Sequence, residues 1–223
     1  MNDIYISGTG IWTPPYKVSN DELVESFNKY VDLYNLEHAN EIKDGSIEPL
    51  VHSSSEFIVK ASGIKNRYVI EKEALLDPNR MKPQINARND DELSFSAEVS
   101  VIAAKEALNN AGLNPSDIDA VIVSAANLQR AYPAIAIEVQ NELGIEGFAY
   151  DMMVGCSAST FGINNAYCDI KSGKSSKVLV ISPEITSGHN NFKNRDGHFI
   201  FGDVCTAVVI EKASNAKNKF KII

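Results

Sequence analysis

Basic residues are in short supply in this sequence. It has 21 lysines and arginines against 29 aspartates and glutamates, which gives a formal net charge of −8. A nucleic-acid-binding domain normally presents a basic face, so we expect no nucleic acid among the partners, although a local basic patch could still bind an anionic substrate. The sequence also lacks an apolar run long enough to span a bilayer and a basic segment leading into an apolar stretch, as in a signal peptide. We therefore expect no membrane segment and a cytoplasmic protein.

Cysteine is scarce as well. Three cysteines, an odd number in 223 residues, do not make a disulfide framework, and a reducing compartment would keep them as free thiols. Cys168 follows Cys156 on the same predicted helix at roughly 18 Å, too far for a disulfide while the helix is intact. We expect Cys168 and Cys205 to be structural. The four histidines lack the spacing of metal ligands, relative to one another and to the cysteines, so we expect no metal site.

Apolar residues, by contrast, are plentiful. The sequence is 44% hydrophobic and 22% charged, which is ordinary for a globular protein with a core, and its length suits one large domain or two small ones. Strands and helices alternate in the order βαβαβαββ, which predicts an α/β fold with a mostly parallel sheet covered by helices on both faces. The predicted strands are 4–12, 119–126, 148–154, 177–182 and 206–212, and the predicted helices are 91–111, 133–143 with Pro133 in its first turn, and 156–172.

The region between the first strand and position 91 is less regular. A capping box at Ser19–Glu22 predicts an amphipathic helix to about Tyr34. A second predicted capping box, at Ser53–Glu56, begins a short helix that ends at Gly63. Two polar segments, 35–52 and 71–91, are predicted to be an irregular insertion and a loop over the surface that could cover a site.

The stretch from Tyr150 to Gly162 predicts a strand, a tight turn and the start of a helix, with Cys156 at the turn. Unpaired N–H groups at a helix N-terminus carry partial positive charge. Such an environment lowers the pKa of a thiol and makes it a better nucleophile, and the same N–H groups could bind the oxyanion that forms when sulfur attacks a carbonyl. The alternative is that Cys156 is a small buried hydrophobic residue.

Several segments together resemble β-ketoacyl-[acyl-carrier-protein] synthase III. The cysteine stretch and the downstream Phe-Gly-Asp are similar to those of the thiolase-like superfamily, and the remaining matches narrow the resemblance to this branch. The long insertions resemble the subgroup that accepts longer acyl chains. The matching segments are Ser62-Gly-Ile-Lys-Asn-Arg67, Ala111-Gly112, Tyr132-Pro133, Leu143-Gly-Ile145, Asp151-Met-Met-Val-Gly-Cys156-Ser-Ala, Lys171-Ser-Gly, Val178-Leu-Val-Ile-Ser and Phe201-Gly-Asp203.

The resemblance implies a thiolase fold of two similar halves, with residues 1–213 as the first half and residues 214–223 as the start of the second. It implies that Cys156 attacks an acyl-CoA thioester, keeps the acyl group and releases CoA. Malonyl-[acyl-carrier protein] would then lose carbon dioxide, and its carbanion would condense with the acyl group in fatty acid biosynthesis. Acyl-CoA is the implied substrate, with no separate cofactor; acyl carrier protein and a second copy of the chain, in a homodimer, are the implied partners.

The resemblance also assigns further residues. Arg195 matches an arginine at the adenine end of CoA, and Phe57 stands where the family often has a tryptophan that stacks on adenine. Ala61 stands where the family has an arginine that contacts CoA. Tyr132 matches an aromatic residue that crosses the dimer interface into the partner's acyl pocket, and Phe201 matches a residue of the acyl tunnel.

The family's catalytic histidine and asparagine and an oxyanion-hole glycine lie in its second half, and His189 and His198 do not match that motif. Decarboxylation needs donors that stabilise an enolate, so we expect a second half supplied from elsewhere. Two alternatives stay open. One is another acyl-CoA condensing enzyme, such as a hydroxymethylglutaryl-CoA synthase or a type III polyketide synthase. The other is a non-catalytic half-subunit that serves as a dimerisation partner.

Overall fold

A computed structural model of the protein describes residues 3–89, 91–212 and 216–223. The chain divides into two compact units: residues 1–13, 87–184 and 204–223 form the first, and residues 14–86 and 185–203 form the second. The predicted boundary between positions 213 and 214 lies outside the described residues. The strands are β1 (Ile4–Trp12), β2 (Tyr16–Ser19), β3 (Asn66–Val69), β4 (Ala120–Ala125), β5 (Phe148–Met153), β6 (Lys177–Ile185), β7 (Asp203–Lys212) and β8 (Phe220–Lys221), and the helices are α1 (Asn20–Glu37), α2 (Ala39–Lys43), α3 (Ser55–Ser62), α4 (Phe95–Ala111), α5 (Ile135–Leu143) and α6 (Ala158–Ser172).

A six-stranded sheet with the order β5-β4-β6-β7-β1-β8 forms the centre of the first unit. Strand β4 pairs in parallel with β5 and β6, so the carboxyl ends of these three strands meet at one edge of the sheet. Strand β1 runs antiparallel to β7 and β8. The predicted α/β class is confirmed, and the parallel part of the sheet is the part that leads into Cys156.

Strand β4 is buried on both of its faces. All six of its residues are buried, and successive side chains of a strand point to opposite sides of the sheet. Ala120 and Ile122 share a core cluster with Ala166 and Ile170 of α6. Helix α5 packs on β4 and on α4, which itself packs on β1. Helices therefore cover the sheet on both faces, as the uninterrupted apolar runs of its parallel strands predict.

The alanine-rich helix α4 approaches β1 unusually closely. A Cβ atom added to Gly8 would lie 2.1 Å from the carbonyl oxygen of Ala107, and one added to Gly10 would lie 2.0 Å from that of Ala103. Residues 8 and 10 point to the same face of β1 because their separation is one strand period. The prediction that the small residues of α4 allow close packing on the sheet is confirmed.

Three helices and the antiparallel β2–β3 ribbon form the second unit. Its core cluster includes two residues of the segment predicted as a surface loop, Leu75 and Met81, which are buried. Residues 71–89 contain no helix or strand, as predicted, but the expectation of a loop that only covers the surface is wrong because the segment supplies part of the core. No helix in the described part of the chain is long and apolar enough to cross a membrane.

The capping box at Ser19–Glu22 is confirmed, with each side chain bound to the other residue's backbone N–H. Hydrogen bonds from Lys72 Nζ and from the Ser19 backbone lower the pKa of Glu22 to about 2. The second predicted box is wrong. The side chain of Ser54 caps α3 by accepting from Phe57 N, and the residue at the third helical position is Phe57, which has no side-chain acceptor to complete a box.

Three other predicted boundaries differ from the structure. The predicted irregular insertion 35–52 contains the end of α1 and the short helix α2. Helix α4 begins at Phe95 after an N-cap at Ser94, not at Asp91. Pro133 precedes α5 rather than lying in its first turn, because α5 begins at Ile135.

Candidate active site

Cys156 lies where the chain passes from the sheet to helix α6. Strand β5 ends at Met153, residues Gly155–Ser157 form one turn of 3-10 helix, and α6 begins at Ala158. Gly155 has a φ of 60°, a left-handed conformation that favours glycine. The Cys156 thiol is exposed, so the alternative of a buried hydrophobic residue is wrong.

Two serine hydrogen bonds and one glycine hold the first turns of α6 against the sheet. Ser124 Oγ donates to the carbonyl oxygen of Ala158 at 2.6 Å, and Ser159 Oγ donates to Ser182 Oγ at 2.9 Å. A Cβ atom added to Gly162 would come within 2.8 Å of a methyl group of Val180. The helix start that carries Cys156 is thus anchored to both β4 and β6.

The N-terminus of α6 is well suited to binding a developing negative charge. Its N-cap, Ser157, makes no side-chain capping hydrogen bond, so the first N–H groups of the helix receive no acceptor from that side chain. Such groups carry partial positive charge. The N–H group of Ala158 already donates to the carbonyl oxygen of Gly155, so the N–H groups that remain to stabilise an oxyanion are those of the residues that follow it.

The other two cysteines differ from each other. Cys205 is buried in β7, where Ser100 Oγ lies 3.8 Å from its sulfur, and burial raises its pKa to about 12. Cys205 is therefore structural, as predicted. Cys168 is exposed on α6, so burial does not support the structural role predicted for it. It lies two turns beyond Phe161, whose side chain is also exposed, on the outer side of the helix.

Asp151 of β5 is a residue whose role the sequence analysis missed. Its two carboxylate oxygens accept hydrogen bonds from the backbone N–H groups of Ile135 and Ala136, both at 2.8 Å. Helix α5 has Ala134 as its N-cap and no local capping side chain, so Asp151 takes over that function from the neighbouring strand. Burial raises the pKa of Asp151, while the two backbone hydrogen bonds oppose this rise. An aspartate inside an otherwise apolar strand was the available signal.

Glu184 is a second missed acidic group, at the carboxyl end of β6. Its Oε1 accepts a hydrogen bond from Ala126 N at 2.8 Å, and burial raises its pKa. Because β6 runs parallel to β4, Glu184 and Ala126 lie at the edge of the sheet where β5 leads into Cys156. The hydrogen bond fixes the end of β6 to the end of β4.

Arg195 and Phe57 are in contact within the second unit. The guanidinium carbon of Arg195 lies 4.3 Å from the centroid of the Phe57 ring, a distance typical of a cation–π interaction. Arg195 Nε also donates to the carbonyl oxygen of His52 at 3.1 Å. Ala61 follows Phe57 by one helical turn of α3 and is exposed, with no charge to offer a phosphate.

Comparison with known proteins identifies the family. Residues 150–223 match the family model described as 3-Oxoacyl-[acyl-carrier-protein (ACP)] synthase III. Over 202 residues, 90% of this chain and 58% of the relative, the sequence is 54% identical to beta-ketodecanoyl-[acyl-carrier-protein] synthase of Pseudomonas aeruginosa. The chain belongs to the β-ketoacyl-[acyl-carrier-protein] synthase III family. The resemblance stated from the motifs is confirmed, and the family is one of acyltransferases.

Other members of the synthase III family agree with this assignment. The protein of that name from Brucella anthropi is 34% identical over 173 residues, which are 77% of this chain and 47% of the relative. The crystal structure of 3-oxoacyl-[acyl-carrier-protein] synthase III from Aquifex aeolicus matches with a TM-score of 0.68 at 27% identity, covering 96% of this chain and 54% of that one. The thiolase-like fold is therefore confirmed, and this chain spans about half the length of the relatives that it matches.

The residues that the synthase III resemblance assigned fall into both units. Cys156 and Tyr132 belong to the first unit, where Tyr132 is 90% exposed. Phe57, Arg195 and Phe201 belong to the second, where the structure brings Arg195 and Phe57 together and leaves Phe201 partly exposed. No group of three or more His, Cys, Asp or Glu side chains within residues 3–89, 91–212 and 216–223 is placed to bind a metal ion.

Proposed function

We propose that this protein takes part in β-ketoacyl-[acyl-carrier-protein] synthesis as an acyltransferase with Cys156 as its nucleophile. The observation that carries the proposal is the exposed Cys156 thiol at the junction of β5 and α6, in a chain that belongs to the synthase III family. A thiol in this position can reach a thioester carbonyl, and the N–H groups that begin α6 can stabilise the resulting oxyanion. The reaction belongs to fatty acid biosynthesis.

The first step transfers the acyl group to the protein. The Cys156 thiolate attacks the carbonyl carbon of an acyl-CoA, the tetrahedral oxyanion collapses, and CoA leaves as a thiolate that takes up a proton. In the second step malonyl-[acyl-carrier protein] loses carbon dioxide, and the resulting enolate attacks the acyl-cysteine carbonyl and releases Cys156. The products are a β-ketoacyl-[acyl-carrier protein] and the free enzyme thiol.

The second step requires groups that a second half of the fold supplies. Donors are needed to stabilise the enolate, and the family's histidine and asparagine have no counterpart in residues 1–213. The exposed side chains on the outer side of α6, among them Phe161 and Cys168, support a partner surface at this helix. We assign residues 1–213 to the first half and residues 214–223 to the start of the second.

The substrate assignment follows the residues of the second unit. Arg195 and Phe57 bind the nucleotide end of acyl-CoA, and Phe201 contributes to the acyl tunnel. The long polar segments 35–52 and 71–91, and a relative named for a ketodecanoyl product, support a longer acyl chain. Tyr132, which is nearly fully exposed, would enter the acyl pocket of a second copy in a homodimer. A free nucleophilic thiol suits a reducing cytoplasm.

Intact-mass measurement after incubation with decanoyl-CoA tests the first step. We expect one decanoyl adduct on the wild-type protein and on Cys168→Ala, which is the matched control because Cys168 is also an exposed cysteine of this region. We expect no adduct on Cys156→Ala. An adduct that persists on Cys156→Ala, or no adduct on the wild type, would refute the proposal.

The malonyl donor that the second step accepts distinguishes this enzyme class from related condensing enzymes. With the second half present, we expect β-ketoacyl product from malonyl-[acyl-carrier protein] and little from malonyl-CoA. Product from free malonyl-CoA would instead indicate a polyketide-synthase-like reaction. A Cys156 that resists iodoacetamide near neutral pH, in a chain that binds a second polypeptide tightly, would indicate a non-catalytic half-subunit.

A further inference from the structure

The contact between Arg195 and Phe57 belongs to a larger connection inside the second unit. Two short segments, residues 52–57 and 195–199, are joined at both of their ends. At one end, Arg195 Nε donates to the carbonyl oxygen of His52. At the other end, the ring of Phe199 meets the ring of Phe57 edge-on, with 5.6 Å between centroids and an interplanar angle of 84°. Phe57 is therefore held from one side by a cation and from another by an aromatic edge.

His198 belongs to the segment 195–199 and contacts the segment 52–57 between these two ends. Its Nε2 is 3.4 Å from Ser53 Oγ, next to the Ser54 N-cap from which α3 begins. Its ring meets the ring of Phe199 edge-on at 5.7 Å and lies 4.6 Å from the ring of Phe27. His198 is 0% exposed, so these contacts are shielded from water. One side chain thus links the start of the helix that carries Phe57 to the aromatic ring that packs on Phe57.

The surroundings of His198 favour a neutral ring. Burial and the positive charges of Arg67 and Arg195 lower its pKa to about 4. Arg67 is itself buried and donates to the carbonyl oxygen of Phe199 at 3.4 Å and to Asn20 Oδ1 at 2.6 Å. A neutral imidazole can pack between two aromatic rings and still offer Nε2 to Ser53. Phenylalanine would keep the first of these properties and lose the second.

We propose that His198 is a positioning residue that fixes Phe57 and Arg195 as a preformed platform for the nucleotide end of acyl-CoA. The inference rests on the proposed function, in which this platform binds the nucleotide. Preorganisation improves affinity because the protein does not have to order these side chains on binding. Removal of His198 should therefore weaken nucleotide binding although His198 itself need not touch the ligand.

Calorimetric titration of the full chain with adenosine 3′,5′-bisphosphate measures this effect directly. We expect the Kd to rise about threefold in His198→Phe, which loses the hydrogen bond to Ser53, and about tenfold in His198→Ala, which also loses the aromatic contacts. His189→Phe is the matched control: His189 is an exposed histidine of the same unit, and we expect its Kd to stay within about twofold of the wild type. In a Phe57→Ala background, His198→Ala should add little, because the platform that His198 positions is already lost.

A purely structural histidine gives a different result. In that case His198→Ala lowers the midpoint of thermal unfolding, while the Kd measured well below that midpoint equals the wild-type value, and this outcome overturns the proposal. So does a wild-type protein that fails to bind the bisphosphate. In single-turnover acylation by decanoyl-CoA, a positioning role raises the half-saturating concentration of decanoyl-CoA in His198→Ala and leaves the maximal acylation rate constant within about twofold.

A substrate without a nucleotide distinguishes failure of the His198 proposal from failure of the proposed acyl transfer. Decanoyl-N-acetylcysteamine carries the same thioester as decanoyl-CoA but has no adenine or ribose. Absence of a Cys156 adduct with both thioesters refutes the proposed acyl transfer, whatever the bisphosphate titration gives. An adduct with both thioesters, together with an unchanged Kd in His198→Ala, refutes only the role of His198.

Discussion

Replacing Gly10 by alanine should separate β1 from α4. The added Cβ atom would lie 2.0 Å from the carbonyl oxygen of Ala103 and 2.7 Å from the backbone nitrogen of Ala107. Ordinary van der Waals contact begins at 3.4 Å, so the two backbones must move apart by about 1.4 Å at this point. Neither atom belongs to a flexible side chain, and the clash therefore cannot be relieved by a change of rotamer.

The expected destabilisation is large for a single methyl group. Overpacking of a core costs about 1–3 kcal/mol and more where the backbone must shift, while the loss of glycine flexibility in the unfolded chain returns about 0.4–1 kcal/mol. We expect a net loss of about 3 kcal/mol. For a chain of this length, each kcal/mol lowers the unfolding midpoint by about 2–4 °C, so the midpoint should fall by about 6–12 °C.

Thermal unfolding followed by circular dichroism measures this fall. Gly197→Ala is the control, because a Cβ atom at Gly197 would meet nothing closer than 4.0 Å, and its midpoint should stay within about 2 °C of the wild type. A Gly10→Ala protein that unfolds at the same temperature as Gly197→Ala would refute the close approach of α4 to β1. The same result would remove the explanation for the run of small residues on α4.

Three further outcomes follow from single side chains. Asp151→Asn should lower the unfolding midpoint by about 2–4 °C, because α5 loses a charged cap worth about 1 kcal/mol; an unchanged midpoint would contradict that role. The pKa of Glu22 is lowered to about 2 from 4.5, so its stabilising contribution is complete above about pH 4.5 and is lost as the pH falls through 2. The difference in urea midpoint between wild type and Glu22→Gln should accordingly shrink over that range, and a constant difference would argue against the shift. Iodoacetamide should modify Cys156 and Cys168 in the native protein and Cys205 only after denaturation, which intact-mass measurement can follow.

The sequence predicts the elements of the first unit well because their signals are local. Uninterrupted apolar runs mark β4 and β6, and glycine marks the ends of the helices. Gly112, Gly144 and Gly173 all adopt left-handed φ angles as C-caps of α4, α5 and α6, a conformation that few other residues tolerate. The turn at Cys156 is predictable for the same reason, since strand, turn and helix follow one another in a single stretch.

Features that depend on distant residues were missed. Strands β2 and β3 are four residues each and pair across the whole of α1, α2 and α3, so neither strand has a neighbour in sequence that would reveal the pairing. The N-terminus of α5 was misplaced because its cap, Asp151, comes from the next strand. Local capping rules assign Pro133 to the first turn in the absence of that information.

The residues of the candidate site also differ in whether their local sequence predicts their position. The position of Cys156 follows from its neighbours in sequence. The contact between Arg195 and Phe57 joins two distant segments, so only the resemblance to a family pointed to both residues. From the sequence, His198 does not match the family's catalytic histidine, and its polar neighbours favour a solvated loop over a pocket. Nothing in its immediate sequence indicates that it is fully buried beside two other aromatic rings.

The buried side chains of Leu75 and Met81 limit how this protein can be trimmed or recombined. Both lie in an apolar cluster with Phe27, Val31 and Phe192, and Met81 reaches it from a backbone with a φ of 46°. A shortened variant that removes residues 71–89 would leave that cluster open to water, and exposed apolar surface of this kind promotes self-association. Chimaeras that exchange this segment with a relative should therefore also exchange α1 and residues 185–203, which contain Phe192. The new side chains then pack against the residues with which they occur in that relative.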